Sequence, residues 1–220
     1  MLKYKIGVLF VLILIVCEMS FVRANNQNLP LLGKVIYIDP GHGGLDPGAL
    51  YKNIKESDIN LEISKQIEET LTKLGAIVYL TRYGDYDLSV NNTINRKRSD
   101  LSRRRNIINK SECDIFLSIH LNAEETGVWK GAQVFYNDIN KENEKIAKIF
   151  QEEFRKNLYS TRKYKKDNSL YMQKKITRPG ILVEVGFLSN ANDRYLLRQK
   201  TYHQKVSNVI ANALIKYFNN

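Results

Sequence analysis

The chain has 220 residues, of which 43% are hydrophobic and 26% are charged, and this fits one globular domain of ordinary core size plus a short appendage. Its formal net charge is +11, and the basic residues concentrate at 95–105 and 161–166. No helix-turn-helix, zinc-finger or RNA-binding signature accompanies this charge, so we expect no nucleic-acid partner. A polyanionic cell envelope suits the charge better, although solvated helix faces would explain either basic run equally well.

The first 24 residues have the pattern of a secretory signal peptide. Two lysines precede an apolar run from Ile6 to Cys17, and small residues near position 24 fit a cleavage site. The run is shorter than the roughly 20 residues of a membrane-spanning helix, and an uncleaved membrane anchor is the alternative. We therefore predict export across the cytoplasmic membrane, with a signal at 1–24, a short linker at 25–32 and the main domain at 33–220.

Strands and helices alternate along the rest of the chain. Strands are predicted at 34–39, 76–81, 114–120, 131–136, 169–173 and 180–185, and helices at 59–74, 99–109, 142–157, 192–199 and 202–218. This alternation predicts a three-layer α/β/α sandwich around a central, mostly parallel twisted sheet of about six strands. The strand at 131–136 is expected to run antiparallel, because no helix separates it from the strand before it.

Two of the three histidines follow apolar strands directly. His42 lies in IDPGHGG, where Pro40 and Gly41 turn the chain out of the first strand, and His120 ends the strand of FLSIHLNA. The ends of parallel strands are where α/β folds place their chemistry. The glycine-rich loop lacks the spacings of phosphate-binding loops, so a phosphate site is not expected there. Because both histidines follow strand ends, we expect them to emerge at the same end of the sheet, where they could bind a metal.

Glu56 lies just before the predicted helix at 59–74, from where its carboxylate can turn back toward the first strand. Taken alone, its local sequence favours a solvent-facing acid in the first turn of that helix, with Ser57 or Asp58 as the cap. Together with His42 and His120, however, it completes the His₂Glu set of catalytic zinc, which leaves one position for water. The three residues come from separate segments, so their spacing by itself is weak support for the site.

Glu184 is a carboxylate within the apolar strand LVEVGF. A buried carboxylate must find either a partner or a proton, and a buried salt bridge to an arginine is the alternative to a catalytic role. A zinc hydrolase, however, needs a carboxylate of raised pKa that accepts a proton from the activated water and passes it to the leaving nitrogen. Glu184 is therefore our candidate for the general acid/base.

Several ordered motifs carry a resemblance to a known family. The segments IDPGHGGLDPGAL, LSRRRNIINKSECDIFLSIHLNA and ILVEVGFLSN, together with Glu56, resemble the zinc-dependent N-acetylmuramoyl-L-alanine amidases of the type 3 class, over nearly all of the chain after Leu31. The resemblance implies a peptidoglycan hydrolase that cleaves the amide between N-acetylmuramic acid and the L-alanine of the stem peptide. It also implies one Zn²⁺, bound by His42, Glu56 and His120, with Glu184 as the catalytic acid/base.

Longer sequence segments, such as NSLYMQKKITRPGILVEVGFLSN, are similar to the germination-specific amidases of endospore formers. That similarity implies removal of stem peptides in the spore cortex, before muramic lactam is completed. The segment 121–130 is too short for the autoinhibitory helix of division-associated relatives. Control by a partner or by timed expression is therefore implied, and a regulatory lipoprotein is the candidate partner.

Four further residues are candidates for binding substrate. Asn122, Arg104 and Arg178 lie beside or between the motifs and could bind peptide carboxylates or carbonyls, or else brace a loop. Trp129 could stack on a sugar.

Two other functions would use the same three metal ligands: a zinc peptidase acting on the stem peptide, and a zinc-bearing module that binds the wall without cleaving it. A module of the second kind would lack the acid, so Glu184 argues against it.

Overall fold

The computed structural model describes residues 29–91 and 93–219, so the predicted signal at 1–24 lies outside the described residues. Leu31 is fully buried, and its backbone N–H donates to the carbonyl of Leu74. The folded unit therefore includes Leu31, two residues before the predicted domain boundary at 33. None of the helices within 29–91 and 93–219 is long and apolar enough to cross a membrane.

A six-stranded sheet forms the centre of the fold. The strands are β1 (Val35–Pro40), β2 (Leu50–Tyr51), β3 (Ile54–Lys55), β4 (Ile77–Leu80), β5 (Ile115–Asn122), β6 (Gln133–Tyr136), β7 (Lys165–Lys166) and β8 (Gly180–Phe187). Their order in the central sheet is β4-β1-β5-β8-β6-β7, whereas β2 and β3 form a separate small hairpin. Strands β4, β1, β5 and β8 are parallel to one another, and β6 runs antiparallel to β8, as predicted for the strand at 131–136.

Helices cover both faces of this sheet. They are α1 (Glu56–Lys73), α2 (Arg96–Lys110), α3 (Asn143–Asn157), α4 (Ala191–Leu197) and α5 (Lys200–Asn219). Helices α1, α3 and α5 pack together over the larger core, whereas α2 packs over a smaller cluster around Ile108 and Phe116 on the opposite face. The predicted three-layer α/β/α sandwich with a mostly parallel sheet is confirmed.

Alternation along β5 and β8 assigns their side chains to the two faces. Ile119 and Val183 belong to the larger core, whereas Phe116 belongs to the cluster under α2. Positions 120 and 184 are register partners and have the same parity as Phe116. His120 and Glu184 therefore lie on the α2 face, near the carboxyl ends of their strands.

One predicted strand is wrong in type, and two predicted helices are wrong in extent. The segment 169–173 is not a strand: the Asp167 carboxylate accepts hydrogen bonds from the N–H and hydroxyl of Ser169, and a 3₁₀ helix, Gln173–Lys175, follows. The sixth strand is instead β7, which pairs with β6. Helices α1 and α2 begin at Glu56 and Arg96, each three residues earlier than predicted, and no side chain caps α1.

Candidate metal centre

Three side chains from separate segments meet at the carboxyl end of the sheet. Glu56 Oε1 lies 3.3 Å from His42 Nε2 and 3.1 Å from His120 Nδ1. The two imidazole rings are in an edge-to-face arrangement with centroids 4.9 Å apart. All three potential ligand atoms lie within 4.8 Å of one another, so the structure brings together the three predicted ligands.

The position of Glu56 follows from the tight connection before α1. Glu56 is the first residue of the helix, its N–H donates to the carbonyl of Ala49, and its Oε2 accepts the Ala49 N–H at 2.8 Å. Its Oε1 accepts from Asn60 Nδ2 at 3.1 Å and from the Leu121 N–H at 3.0 Å. The carboxylate therefore joins the start of α1 to the end of β5, and it is buried rather than solvent-facing.

His42 is held in a left-handed backbone conformation, with φ of 62°. Such a conformation in a residue with a side chain costs about 1–3 kcal/mol and is concentrated at functional sites. Its Nδ1 lies 3.0 Å from Asp46 Oδ2, which leaves Nε2 facing Glu56. Gly48 (φ 67°) is required beside this pair, because a Cβ there would lie 2.5 Å from the Glu56 carboxylate.

Two buried arginines hold the turn that carries His42. Arg82 donates to the carbonyls of Pro40 and Gly41 at 3.0 and 2.9 Å. Arg104 donates to the carbonyls of Pro40 and His42 at 2.7 and 2.6 Å. These bonds fix the backbone on which the imidazole stands.

The three residues fit a metal ion. Zinc–nitrogen and zinc–oxygen bonds of about 2.0–2.2 Å in a tetrahedral site place neighbouring ligand atoms roughly 3.3–3.5 Å apart. The separations of 3.3 and 3.1 Å at Glu56 Oε1 are close to this range. In addition, Asp46 orients His42 as a carboxylate orients the histidine ligands of zinc sites. The donor set of two imidazoles and one carboxylate is that of catalytic zinc.

Charges within this cluster shift the pKa values of its members. Burial opposes ionisation of Glu56, but hydrogen bonds from His120 and His42, and their charges, hold its pKa well below the ordinary value. Burial lowers the pKa of His42, but hydrogen bonds to Glu56 and Asp46 and the charges of these carboxylates outweigh that effect and raise it. Glu56 is therefore an anion throughout the neutral range, as a ligand must be.

Glu184 occupies the strand next to His120, as its register partner. Its Oε2 is buried and has no hydrogen-bond partner among the described residues, so the salt-bridge explanation finds no arginine there. Burial, followed by the charge of Glu56, raises the pKa of Glu184 to about 8, against an opposing effect of His42. A carboxyl group with such a pKa can carry or release a proton near neutrality.

The four predicted substrate residues are placed differently. Arg104 is 1% exposed and its guanidinium is engaged by Asp39, Asp100 and backbone carbonyls, so the bracing interpretation is correct. Arg178 precedes β8 and stands six positions before Glu184, which is roughly 20 Å along an extended chain, so it lies at the amino end of β8, away from the site. Asn122 lies two residues beyond His120, at the end of β5. Trp129 is 53% exposed and stacks against Arg162.

Sequence reasoning missed several residues that build this site. Asp46, Asn60 and Arg82 contact the ligands or the turn that carries them. The sequence could have indicated Asp46, because it lies four residues after His42 in the glycine-rich loop. Asn60 also had one, a polar residue four positions after Glu56 on the inward face of a helix. Arg82 follows a strand on its own, and nothing in its neighbourhood marked it.

The geometry can now be compared with known proteins. Residues 36–216 match the family described as N-acetylmuramoyl-L-alanine amidase. The chain belongs to this family. The germination-specific N-acetylmuramoyl-L-alanine amidase of Bacillus subtilis (strain 168) is 41% identical over 226 residues, which cover 99% of this chain and 94% of the relative.

Solved structures agree with the family assignment. The CwlD amidase of Clostridioides difficile, solved in complex with the GerS lipoprotein, is 36% identical to this amidase with a TM-score of 0.81, over 85% of this chain and 99% of that one. An N-acetylmuramoyl-L-alanine amidase of Clostridium difficile 630 is 26% identical with a TM-score of 0.76, over 86% and 98% of the two chains. The protein is thus a peptidoglycan amidase, and the cluster at the carboxyl end of its sheet is the candidate catalytic centre.

Proposed function

We propose that this amidase binds one Zn²⁺ through His42, Glu56 and His120 and cleaves the amide between the lactyl group of N-acetylmuramic acid and the L-alanine of the stem peptide. The observation that supports the ligand set most directly is the convergence of three ligand atoms, from three separate segments, within 4.8 Å. When bound, zinc supplies a Lewis acid that polarises the scissile carbonyl and lowers the pKa of a water molecule.

Glu184 acts as the proton carrier of the reaction. The carboxylate accepts the proton of the attacking water and then donates it to the nitrogen of L-alanine, so that the peptide leaves as a neutral amine. Two features suit Glu184 to this work. Its Oε2 is not engaged by any described residue, and its pKa of about 8 lies near the pH at which a group must both accept and release a proton.

The remaining polar residues of the site position these groups. Asp46 holds Nδ1 of His42, so that Nε2 is the nitrogen presented to the metal. Asn60 and the Leu121 N–H fix the Glu56 carboxylate. Since each ligand is held by a hydrogen bond or an ordered backbone, the site is arranged before substrate binds, which reduces the reorganisation needed in the transition state.

The biological setting is the spore cortex, after export through the segment at 1–24. The 41% identity to a germination-specific amidase, over 99% of this chain, supports removal of stem peptides during cortex maturation, ahead of muramic-lactam formation. The similarity to an amidase solved with a lipoprotein supports a regulatory lipoprotein as partner. A strain without this protein should then form cortex lacking muramic lactam, and muropeptide analysis of its spores measures this.

Mass spectrometry of muropeptides after digestion by the purified protein tests the bond that is cleaved. Intact free stem peptides and unsubstituted glycan are the expected products. Shortened peptides still attached to muramic acid would instead identify a peptidase, and unchanged peptidoglycan would identify a binding module. Digestion in the presence and absence of added Zn²⁺, after removal of metal with a chelator, tests the metal requirement in the same assay.

A further inference from the structure

A second arrangement of side chains adjoins Glu184 on the side away from the metal ligands. Strand β6 lies next to β8, and Gln133 is the register partner of Glu184, just as His120 is on the other side. Side chains at paired positions of neighbouring strands point to the same face. His120, Glu184 and Gln133 therefore form one row across three strands, on the face covered by α2.

Gln133 presents its side chain to an arginine. The buried Gln133 donates through Nε2 to the carbonyl of Lys163, which fixes the amide orientation. Its Oε1 then accepts two hydrogen bonds from Arg162, from Nε at 3.2 Å and from Nη2 at 2.9 Å. These bonds leave Nη1 of Arg162 without a partner among the residues that the structure describes.

The guanidinium of Arg162 also lies against two aromatic rings. Its central carbon lies 4.4 Å from the ring centroid of Trp129 and 5.6 Å from that of Phe187. Stacking of this kind holds a guanidinium plane in one orientation and leaves its edge free to bind an anion. No carboxylate among the described residues forms an ion pair with Arg162, so its charge is available to a ligand.

From this placement we propose that Arg162 binds a carboxylate of the stem peptide, with Gln133 and Trp129 holding its guanidinium in place. The inference rests on the proposed function, because it takes Glu184 as the group that protonates the leaving nitrogen. The peptide continues from that nitrogen and so leaves the metal on the side of Glu184. Neighbouring strands are about 4.8 Å apart, and the second residue of an extended peptide lies roughly 7 Å from the first nitrogen. Its carboxylate can therefore reach a guanidinium beyond Gln133.

The chain offers a direct probe of this site, because Trp129 is its only tryptophan. We would titrate the Glu184→Gln protein, which cannot turn over, with a synthetic stem peptide that has free carboxylates, and follow the intrinsic fluorescence. A saturable change is expected, and Arg162→Gln should weaken the affinity about tenfold or more, since charge-assisted hydrogen bonds are the strong ones. Arg162→Lys, which keeps the charge and loses the planar fork, should fall between the two.

Three comparisons decide the outcome. Arg155→Gln, an exposed arginine of α3, is the matched control and should bind like the parent. The same peptide with its carboxylates amidated should bind the parent as weakly as the free peptide binds Arg162→Gln. Equal affinity of Arg162→Gln and the control would overturn the inference, and so would a fluorescence change with N-acetylmuramic acid alone and none with the peptide.

Kinetics separate this inference from the proposed function. In the active chain, Arg162→Gln should raise KM for peptidoglycan fragments and leave kcat within a few-fold, because it removes binding remote from the reacting bond. If the parent releases no intact stem peptide, the proposed function fails whatever the variant does. If the parent releases it and Arg162→Gln has an unchanged KM, only the subsite fails.

Discussion

Two carboxylates on the same face of the sheet, the buried Asp39 and the partly buried Glu184, have opposite environments. Asp39, in β1, accepts hydrogen bonds from Thr81, Ser118 and Arg104, and these contacts outweigh burial and lower its pKa. Glu184, in β8, has an oxygen with no partner among the described residues, and burial raises its pKa. This difference separates a structural carboxylate from a reactive one. Asp39 is fully hydrogen-bonded and supports the fold, whereas Glu184 has an unpaired oxygen beside the candidate metal site and is available for chemistry.

Loss of a metal ligand should give the largest effect. His120→Ala removes one of the three proposed ligands, so we expect turnover to fall at least about a thousandfold and zinc content to fall well below one per chain. Activity assays and elemental analysis measure the two quantities. His203→Gln is the control, because this buried histidine bonds to the carbonyl of Leu197, away from the site, and should keep its zinc. Full zinc content in His120→Ala would show that His120 is not a ligand.

Breaking the paired region should mainly affect stability. Arg104→Met leaves Asp39 and Asp100 buried without their cation, so the free energy of unfolding should fall by about 3–5 kcal/mol. Chemical denaturation measures this change, and the exposed neighbour Arg103→Met should shift it by no more than about 0.5 kcal/mol. A small effect of Arg104→Met would mean that the ion pairs of Arg104 with Asp39 and Asp100 do not stabilise the turn that contains His42.

The unpaired region should behave in the opposite way in the metal-free protein. Glu184 ionises near pH 4.5 when unfolded and near pH 8 when folded, so the folded state binds the extra proton between these values. Stability should therefore decline as the pH rises through this window, by at most about 5 kcal/mol. Glu184→Gln removes the penalty and should be the more stable protein at pH 8, by up to about 4 kcal/mol, and less different at pH 5.

Thermal unfolding of the chelated protein at pH 5 and pH 8 checks this prediction. Glu152→Gln, an exposed position on α3, provides the control for loss of a negative charge. If Glu184→Gln were destabilised at both pH values, Glu184 would have to be a paired, structural carboxylate like Asp39.

The smallest effect should come from the residue that orients His42. Asp46→Asn keeps the size of the side chain but loses the charge facing Nδ1, so zinc affinity should drop about 10–100-fold while the fold persists. Competition with a chelating dye measures the affinity, and the exposed Asp58→Asn on α1 should leave it unchanged. Unaltered affinity in Asp46→Asn would limit Asp46 to bracing the loop.

The strand-end motifs made much of the site predictable. His42 and His120 stand where apolar strands stop, and Glu184 is a charge inside an apolar strand, so local sequence is enough to single them out. Glu56 required the resemblance to a family, because its neighbourhood is that of an ordinary helix start. The layers and the antiparallel β6 followed from the order of elements alone.

Other features depend on contacts that no local pattern records. In the sequence Arg104 cannot be told from Arg103 and Arg105, and only the packing of α2 against β1 places its guanidinium on Asp39. Strand β7 has two residues and exists only because it pairs with β6, whereas the more apolar segment at 169–173 has the local pattern of a strand without a partner strand. Arg178 lies close to Glu184 in sequence, but it precedes β8 and therefore lies at the amino end of that strand, away from the site.

The division of the site into three ligands and one acid/base is tested most directly by Glu184→Gln, assayed for zinc content and turnover on the same preparation. We predict one zinc per chain, as in the parent, and a turnover reduced at least about a thousandfold, because the amide can neither accept nor donate the proton. Full turnover in this variant, or a loss of zinc along with activity, would contradict the assignment of Glu184 and with it the account of the site.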